Sequence, residues 1–149
     1  MDKINIEGVL LTPLMKISHS KGDVYHAMKK SDNGYAGFGE VYFSTIKSGE
    51  IKGWNKHKKM ILNLVVPIGK ITFVIYDDRE KSRSNGNFYT VTLSPSNYQR
   101  LTIQSGLWIA FKGKGNNTSF MLNMANMEHD SNEVLHKSAF EFTFDWSVK

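Results

Sequence analysis

The sequence predicts an all-β fold, a β-sandwich or barrel, and three observations carry that expectation. Short apolar or alternating segments recur about every ten residues along 149 residues, with turn residues between them. Two of them, Met60 to Val66 and Ile71 to Tyr76, are rich in Val and Ile and are separated by Pro67-Ile68-Gly69-Lys70, which favours two strands over one long helix. No stretch carries a helical pattern longer than about two turns, and no internal repeat is found.

The elements follow in order. Ile4 to Leu11 reads as a strand that starts in alternation and ends as an apolar run before Pro13. Lys16 to Gly22 is polar with a glycine turn, Val24 to Met28 is a short apolar segment, and Asn33-Gly34 marks a turn. Glu40 to Ile46 (EVYFSTI) is aromatic and β-branched, as a strand should be, and Lys47 to Glu50 turns the chain. Lys52 to Arg79 then places a polar and basic cluster around His57 directly ahead of the two apolar runs. Phe88 to Leu93 alternates as a half-buried strand, and Ser94 to Asn97 is a turn. Arg100 to Ile103 and Gly106 to Phe111 read as a strand pair around Gln104-Ser105, and Phe120 to Met124 as a buried segment. Ala139 to Trp146 (AFEFTFDW) alternates aromatic with polar residues, the mark of a strand with one wet face.

Composition narrows the function classes. A chain of this length suits a single domain, 1–149, with a real core. No apolar run approaches the roughly 18 residues of a membrane span, and the start of the chain, with Asp2, Lys3 and Glu7, lacks the pattern of a signal peptide. The absence of cysteine removes disulfide and thiolate chemistry and suits the cytoplasm. A net charge of +5 attracts anions, but the only dense basic group is Lys56, Lys58 and Lys59, so no nucleic-acid partner is expected.

The order of motifs resembles the cupins of nucleotide-sugar metabolism, the dTDP-4-keto-6-deoxyhexose 3,5-epimerases and the related sugar 3,4-ketoisomerases. Ile6-Glu7-Gly8-Val9-Leu10 with Pro13 is similar to the epimerases' opening strand, Lys21-Gly22 to their Arg-Gly turn, and Gly49 to Trp54 to their Gly-Val-Leu-Arg-Gly-Leu. Leu93-Ser94 with Asn97, then Arg100 to Ile103 and Gly106, resembles the stretch leading to their Ile-Pro-Pro-Gly turn. Where the epimerases carry their proton-abstracting histidine this chain has Asn55, where they carry a later histidine it has Ile109, and their acid tyrosine falls near Leu122. On this resemblance, the acidic partner of the epimerases' proton-abstracting histidine is expected to fall beyond the last residue of the sequence. Against the ketoisomerase pattern Arg-Gly-Phe-His-x-His-Lys-Lys, Lys52 to Lys59 loses the first histidine and keeps the second, His57; Tyr42 falls where those enzymes place an active-site tyrosine.

The resemblance implies a jelly-roll cupin, a homodimer, a nucleotide-sugar substrate and proton transfer next to a ketone, with no cofactor and no metal. The preferred expectation is an epimerase or isomerase on a dTDP-linked 4-keto-6-deoxysugar for surface-polysaccharide building blocks. A 3,4-ketoisomerase and a non-catalytic sugar-binding cupin are the alternatives. Histidine suits the base because its ordinary pKa lies near 6.5, so His57 is the candidate base and Tyr42 the acid or orienting group. Lys52, Asn55 and Lys59 are candidates for the enolate or diphosphate, and strand alternation would put 55, 57 and 59 on one face. Lys21, Arg79 and Arg100 would hold the diphosphate in the same reading, and are otherwise surface charges. Trp108, like Trp54 and Phe111, is either pocket floor or plain core. His19, His26, His129 and His136 read as surface residues, although on the resemblance His26 falls near a substrate-facing acidic residue of the epimerases, and Asp77-Asp78 reads as a turn.

Overall fold

In the computed structural model, which describes residues 3–147, there is no helix among the described residues. Asp2 lies outside them. The strands are β1 (Val9–Pro13), β2 (Lys16–Ile17), β3 (Val24–Tyr25), β4 (Glu40–Ile46), β5 (Ile51–His57), β6 (Leu62–Ile68), β7 (Lys70–Tyr76), β8 (Phe88–Leu93), β9 (Gln99–Ile103), β10 (Trp108–Lys114), β11 (Ser119–Ala125) and β12 (Val134–His136). They form two five-stranded antiparallel sheets, ordered β1-β9-β6-β11-β4 and β12-β5-β10-β7-β8, with β2-β3 as a separate ribbon. The fold is all-β, as the spacing of short alternating segments predicts.

The inner faces of the two sheets share one core. Ile46, Leu64, Leu101, Ile103 and Met121 from the first sheet meet Ile71, Phe73, Ile75, Leu93 and Ile109 from the second. The outer face of the second sheet is also covered. Trp54, Val74, Trp108 and Ala110 are buried there beneath Phe142, Phe144 and Trp146. The alternating aromatics of the C-terminal segment therefore do bury one face, but residues 139–146 form no strand. Their register with a sheet is set by ring contacts, such as Trp54 with Phe142 at 5.1 Å, and not by a backbone ladder.

Two further expectations are corrected. Arg100 to Ile103 and the following strand are not a hairpin, because β9 pairs with β1 and β6 while β10 pairs with β5 and β7. The chain crosses from one sheet to the other at 104–107. There Gln104 N donates to Gly8 O and Gly106 N to His57 O, so the apparent turn is held by tertiary partners. Pro67 belongs to β6 and not to the turn after it. Opposite β11 the register slips between Phe120 and Leu122, and this bulge accommodates a residue with no N–H to give to the ladder. Gly69 makes the turn itself: its φ is +87° and a Cβ would lie 2.6 Å from Ser119 Cβ.

Arg100 is a structural cation. It is fully buried on the outer face of the first sheet, where its guanidinium donates to Ala27 O at 2.8 Å, Asn33 O at 2.8 Å and Asp32 Oδ2 at 3.2 Å. Those bonds fasten residues 27–34 over β9, and the side chain cannot also hold a diphosphate in a pocket. Arg79 has a similar duty. It pairs with Asp77 through Nε at 2.8 Å and Nη2 at 2.9 Å, and donates from Nη2 to Glu7 O, tying the N-terminal segment to the loop after β7. Burial would raise the Asp77 pKa, but hydrogen bonds from Arg79, Ser82 and Ser84 overcome it and hold the carboxyl well below the usual range.

Two outcomes follow for stability. Arg100→Ala should lower stability by about 2–4 kcal/mol through the unpaired carbonyls it leaves, while nucleotide-sugar affinity of the folded protein, measured by calorimetry, stays within about threefold. A large loss of affinity at unchanged melting temperature would return Arg100 to the binding site. Asp77 has a depressed folded pKa, so its contribution is present above the unfolded value near 4 and is lost as pH falls below it. Melting curves of Asp77→Asn should therefore lie below wild type at pH 7, and the two should converge toward pH 2.

Candidate active site

A tight turn joins β4 to β5 and sets the geometry of the site. The turn is pinned by Gly49 N donating to Gly113 O and by Lys52 Nζ donating to Thr45 O at 2.6 Å. β4 is the edge of one sheet and β5 lies next to the edge of the other, so the chain doubles back across the mouth of the sandwich. Tyr42 stands four residues before the end of β4 and Asn55 four after the start of β5. At about 3.3 Å per residue both lie roughly 13 Å from the turn, on sheets about 10 Å apart. The two strands thus flank the interior of the sandwich at this corner.

Register decides which side chains face it. Residues directly opposite in an antiparallel pair share a face. Ile46 opposes Ser119, Ser44 opposes Met121 and Tyr42 opposes Asn123, so Tyr42 and Asn123 share the inner face with the core residues Ile46 and Met121. Asn55 opposes Ile109, another core residue, and His57 lies two positions further along the same face. A bulge in β5 makes this possible. Gly53, at φ +127°, lies so close to β10 that a Cβ would sit 2.6 Å from Ala110 Cβ, and the extra residue lets Trp54 turn outward while Asn55 turns in.

His57 is held by a buried acid. Its Nδ1 pairs with Glu133 Oε1, and Glu133 is only 3% exposed. The other carboxylate oxygen accepts from the backbone N–H groups of Lys59 and Met60 at 3.2 and 3.1 Å. Burial alone would raise the Glu133 pKa, yet the hydrogen bonds from His57, Met60 and Lys59 prevail and keep it below the usual value. An ionised carboxylate can only accept, so in neutral His57 the proton sits on Nδ1 and the lone pair on Nε2. That is the tautomer a base requires. His57 thus has an acidic partner of its own, supplied just before β12.

Tyr42 is prepared in the complementary sense. Its hydroxyl accepts from Asn123 Nδ2 at 2.9 Å, which leaves the phenolic proton free to be given away. Asn123 is 2% exposed and its Oδ1 has no protein partner. Asn55 Oδ1 pairs with His136 Nδ1 at 2.7 Å from the neighbouring strand β12. His136 is exposed, as the sequence suggests, but it is not an isolated surface residue.

The remaining candidates lie elsewhere. Trp108 faces outward: its Nε1 donates to Asp78 Oδ2 at 2.8 Å, with Lys56 Nζ on Asp78 Oδ1 at 2.7 Å, and its ring packs on Phe142. Phe111 lies on the inner face, packed against the shared core. Arg79 and Arg100 serve the fold. Lys59 does not share a strand face with His57, because β5 ends at His57 and Lys59 lies in the bend beyond it. Lys52 stays at the corner on Thr45 O. Lys21 is at the exposed turn of the β2-β3 ribbon, its N–H donating to His19 Nδ1. Leu122 opposes the exposed Phe43 on the outer face, so the inward position in that stretch belongs to Asn123. Among the described residues no three His, Cys, Asp or Glu side chains converge as a metal site.

Glu133, Asn123 and His136 were not legible as site residues from the sequence. Asn123 left a trace, a lone amide inside the apolar run FMLNM. Glu133 left none, since a glutamate in a polar turn gives no sign that it will be buried.

No protein-family profile matches the chain. A solved dTDP sugar isomerase from Desulfovibrio desulfuricans G20 superposes with a TM-score of 0.94 at 31% identity, covering 99% of this chain and 96% of that one. A probable low-salt glycan biosynthesis epimerase of Haloferax volcanii is 26% identical over 151 residues, 97% of each chain. At the level of fold, the dTDP-4-dehydrorhamnose 3,5-epimerase of Bacillus anthracis gives a TM-score of 0.85 at 17% identity, covering 99% of this chain and 89% of that one. With identity above 30% over almost the whole length of both chains, the protein belongs to the dTDP-sugar isomerase and epimerase family of cupins.

Proposed function

We propose that the protein is an isomerase or epimerase of a dTDP-linked 4-keto-6-deoxysugar, transferring protons at carbon next to the ketone to make a glycan building block in the cytoplasm. The observation that carries this reading is the inward-facing His57 with its Nδ1 held by buried Glu133. Nε2 takes the proton from the carbon beside the carbonyl, and the C–H electron pair becomes the C=C bond of an enolate. The positive charge that develops on the imidazole is balanced by the Glu133 carboxylate. Tyr42, whose hydroxyl already accepts from Asn123, gives its proton to the enolate oxygen or to the far face of the carbon. Proton transfer is redox-neutral, so the chemistry asks for no electron carrier.

The ketoisomerase alternative has its own support. Only the second histidine of that family's motif is present, and it is the one with the acid partner. The 31% identical solved relative is named as an isomerase. A homodimer belongs to the same proposal: the β2-β3 ribbon pairs with neither sheet and leaves Met15, Ile17 and Val24 exposed, a surface suited to a second copy that would bring Lys21 toward its partner's pocket.

The test is incubation with dTDP-4-keto-6-deoxyglucose in deuterated water, following the protons at C3 and C5 by NMR. Deuterium should enter a carbon next to the ketone and a new sugar should form. His57→Asn should slow this by about 100-fold or more with ligand affinity retained, and Glu133→Gln should cost about tenfold in kcat. Tight binding without any exchange would mark a non-catalytic sugar-binding cupin. Absence of both binding and exchange would exclude this substrate.

A further inference from the structure

We infer that His136 is the second proton-transfer group of this site, and that its task is to move a hydroxyl proton so that the carbonyl shifts to the neighbouring carbon; the inference rests on the substrate class proposed above. The two-histidine motif has lost its first imidazole to Asn55, but the fold returns one from another strand. His136 lies directly opposite Asn55 on β12, as Val134 lies opposite His57. Partners directly opposite share a face, so His136 extends the row formed by Asn55 and Ile109 along the inner side of the second sheet. The contact between the side chains fixes this: His136 Nδ1 lies 2.7 Å from Asn55 Oδ1.

The pairing also decides the proton. An amide oxygen only accepts, so in neutral His136 Nδ1 carries the hydrogen and Nε2 the lone pair. Asn55 does for His136 what Glu133 does for His57, without the negative charge. His57 and His136 are diagonal neighbours across an antiparallel pair, roughly 7–8 Å apart at the backbone. Two imidazoles with the same open nitrogen thus stand on one face of the second sheet.

The chemistry balances with these three groups alone. His57 takes the proton from the carbon bearing the hydroxyl; the C–H pair becomes the C=C bond, the carbonyl pair moves to its oxygen, and Tyr42 protonates that oxygen to give an enediol. His136 Nε2 then takes the proton of the original hydroxyl. Its oxygen forms the new carbonyl, and the C=C pair takes the proton back from His57 at the former ketone carbon. The imidazolium of His136 returns its proton through water to the Tyr42 phenolate. No atom is gained or lost and no oxidant is consumed. Asn55, an amide that cannot take up and release a proton as an imidazole does, becomes the residue that orients the replacement.

The experiment separates the two histidines by what each moves. With dTDP-4-keto-6-deoxyglucose in deuterated water, carbon exchange reports His57 and appearance of the shifted ketone reports His136. His136→Gln should keep carbon exchange within about threefold of wild type and slow formation of the shifted ketone by about 100-fold, at unchanged melting temperature. Asn55→Ala should show the same split at smaller size, because His136 remains but is no longer held. Retention of both activities in His136→Gln, loss of both to the same extent in a folded protein, or a wild-type product with only an inverted carbon would overturn the role of His136 and leave the wider reading intact. A wild-type protein showing neither exchange nor product would overturn the substrate class, and this inference with it.

Discussion

The site depends on one buried carboxylate. Glu133 comes from the segment entering β12, yet it accepts from His57 Nδ1 at the end of β5 and from Lys59 N and Met60 N in the connection to β6. Burying an ionised carboxylate costs several kcal/mol unless its oxygens are paired. Here three donors do so. The same bonds that make Glu133 tolerable inside the protein close the open end of the sandwich, anchor the edge strand and choose the tautomer of the candidate base. Stability and chemistry share these contacts, so a change at Glu133 should be felt in both.

β5 has to serve two faces at once, and the bulge at Gly53 is how it does so. Outward, Trp54 is fully buried beneath the C-terminal aromatics and donates from Nε1 to Ala139 O. Inward, Asn55 and His57 share the face of the core residue Ile109. A strand in strict alternation from Lys52 would keep Lys52 and Trp54 on one face; the extra residue breaks that parity just where the strand passes from packing to function. The outer aromatic layer of Trp54, Trp108 and Phe142 then acts as a rigid backing, fastened by the Lys56–Asp78–Trp108 bonds. Functional groups placed on a backed strand are held more closely than groups on a free loop.

Most strands were legible because side-chain alternation survives in the sequence. Glu40–Ile46 and Phe88–Leu93 fall where the pattern puts them. What failed was long-range. Gln104-Ser105-Gly106 looks like a hairpin turn, and local residues do not say that the next strand joins the opposite sheet. The C-terminal alternation identifies a buried face but not the missing ladder. Arg100 and Trp108 were read by residue type, as diphosphate ligand or surface charge and as pocket floor or core, whereas their partners are set by loops distant in sequence. The site divides in the same way. His57 and Tyr42 stand within motif-like stretches of strand, while Glu133, Asn123 and His136 enter through pairing, which a single sequence does not display.

On the proposed function, a nucleotide-linked sugar lies between β4 and β5 with its reacting carbon toward His57. A crystal structure with a dTDP-sugar bound would test it most directly. The hexose should lie between the sheets, with a ring carbon within about 3.5 Å of His57 Nε2 and a sugar oxygen in hydrogen-bond reach of Tyr42. A hexose seated on the outer face of either sheet, or one in the gap with His57 turned away and still held by Glu133, would contradict it.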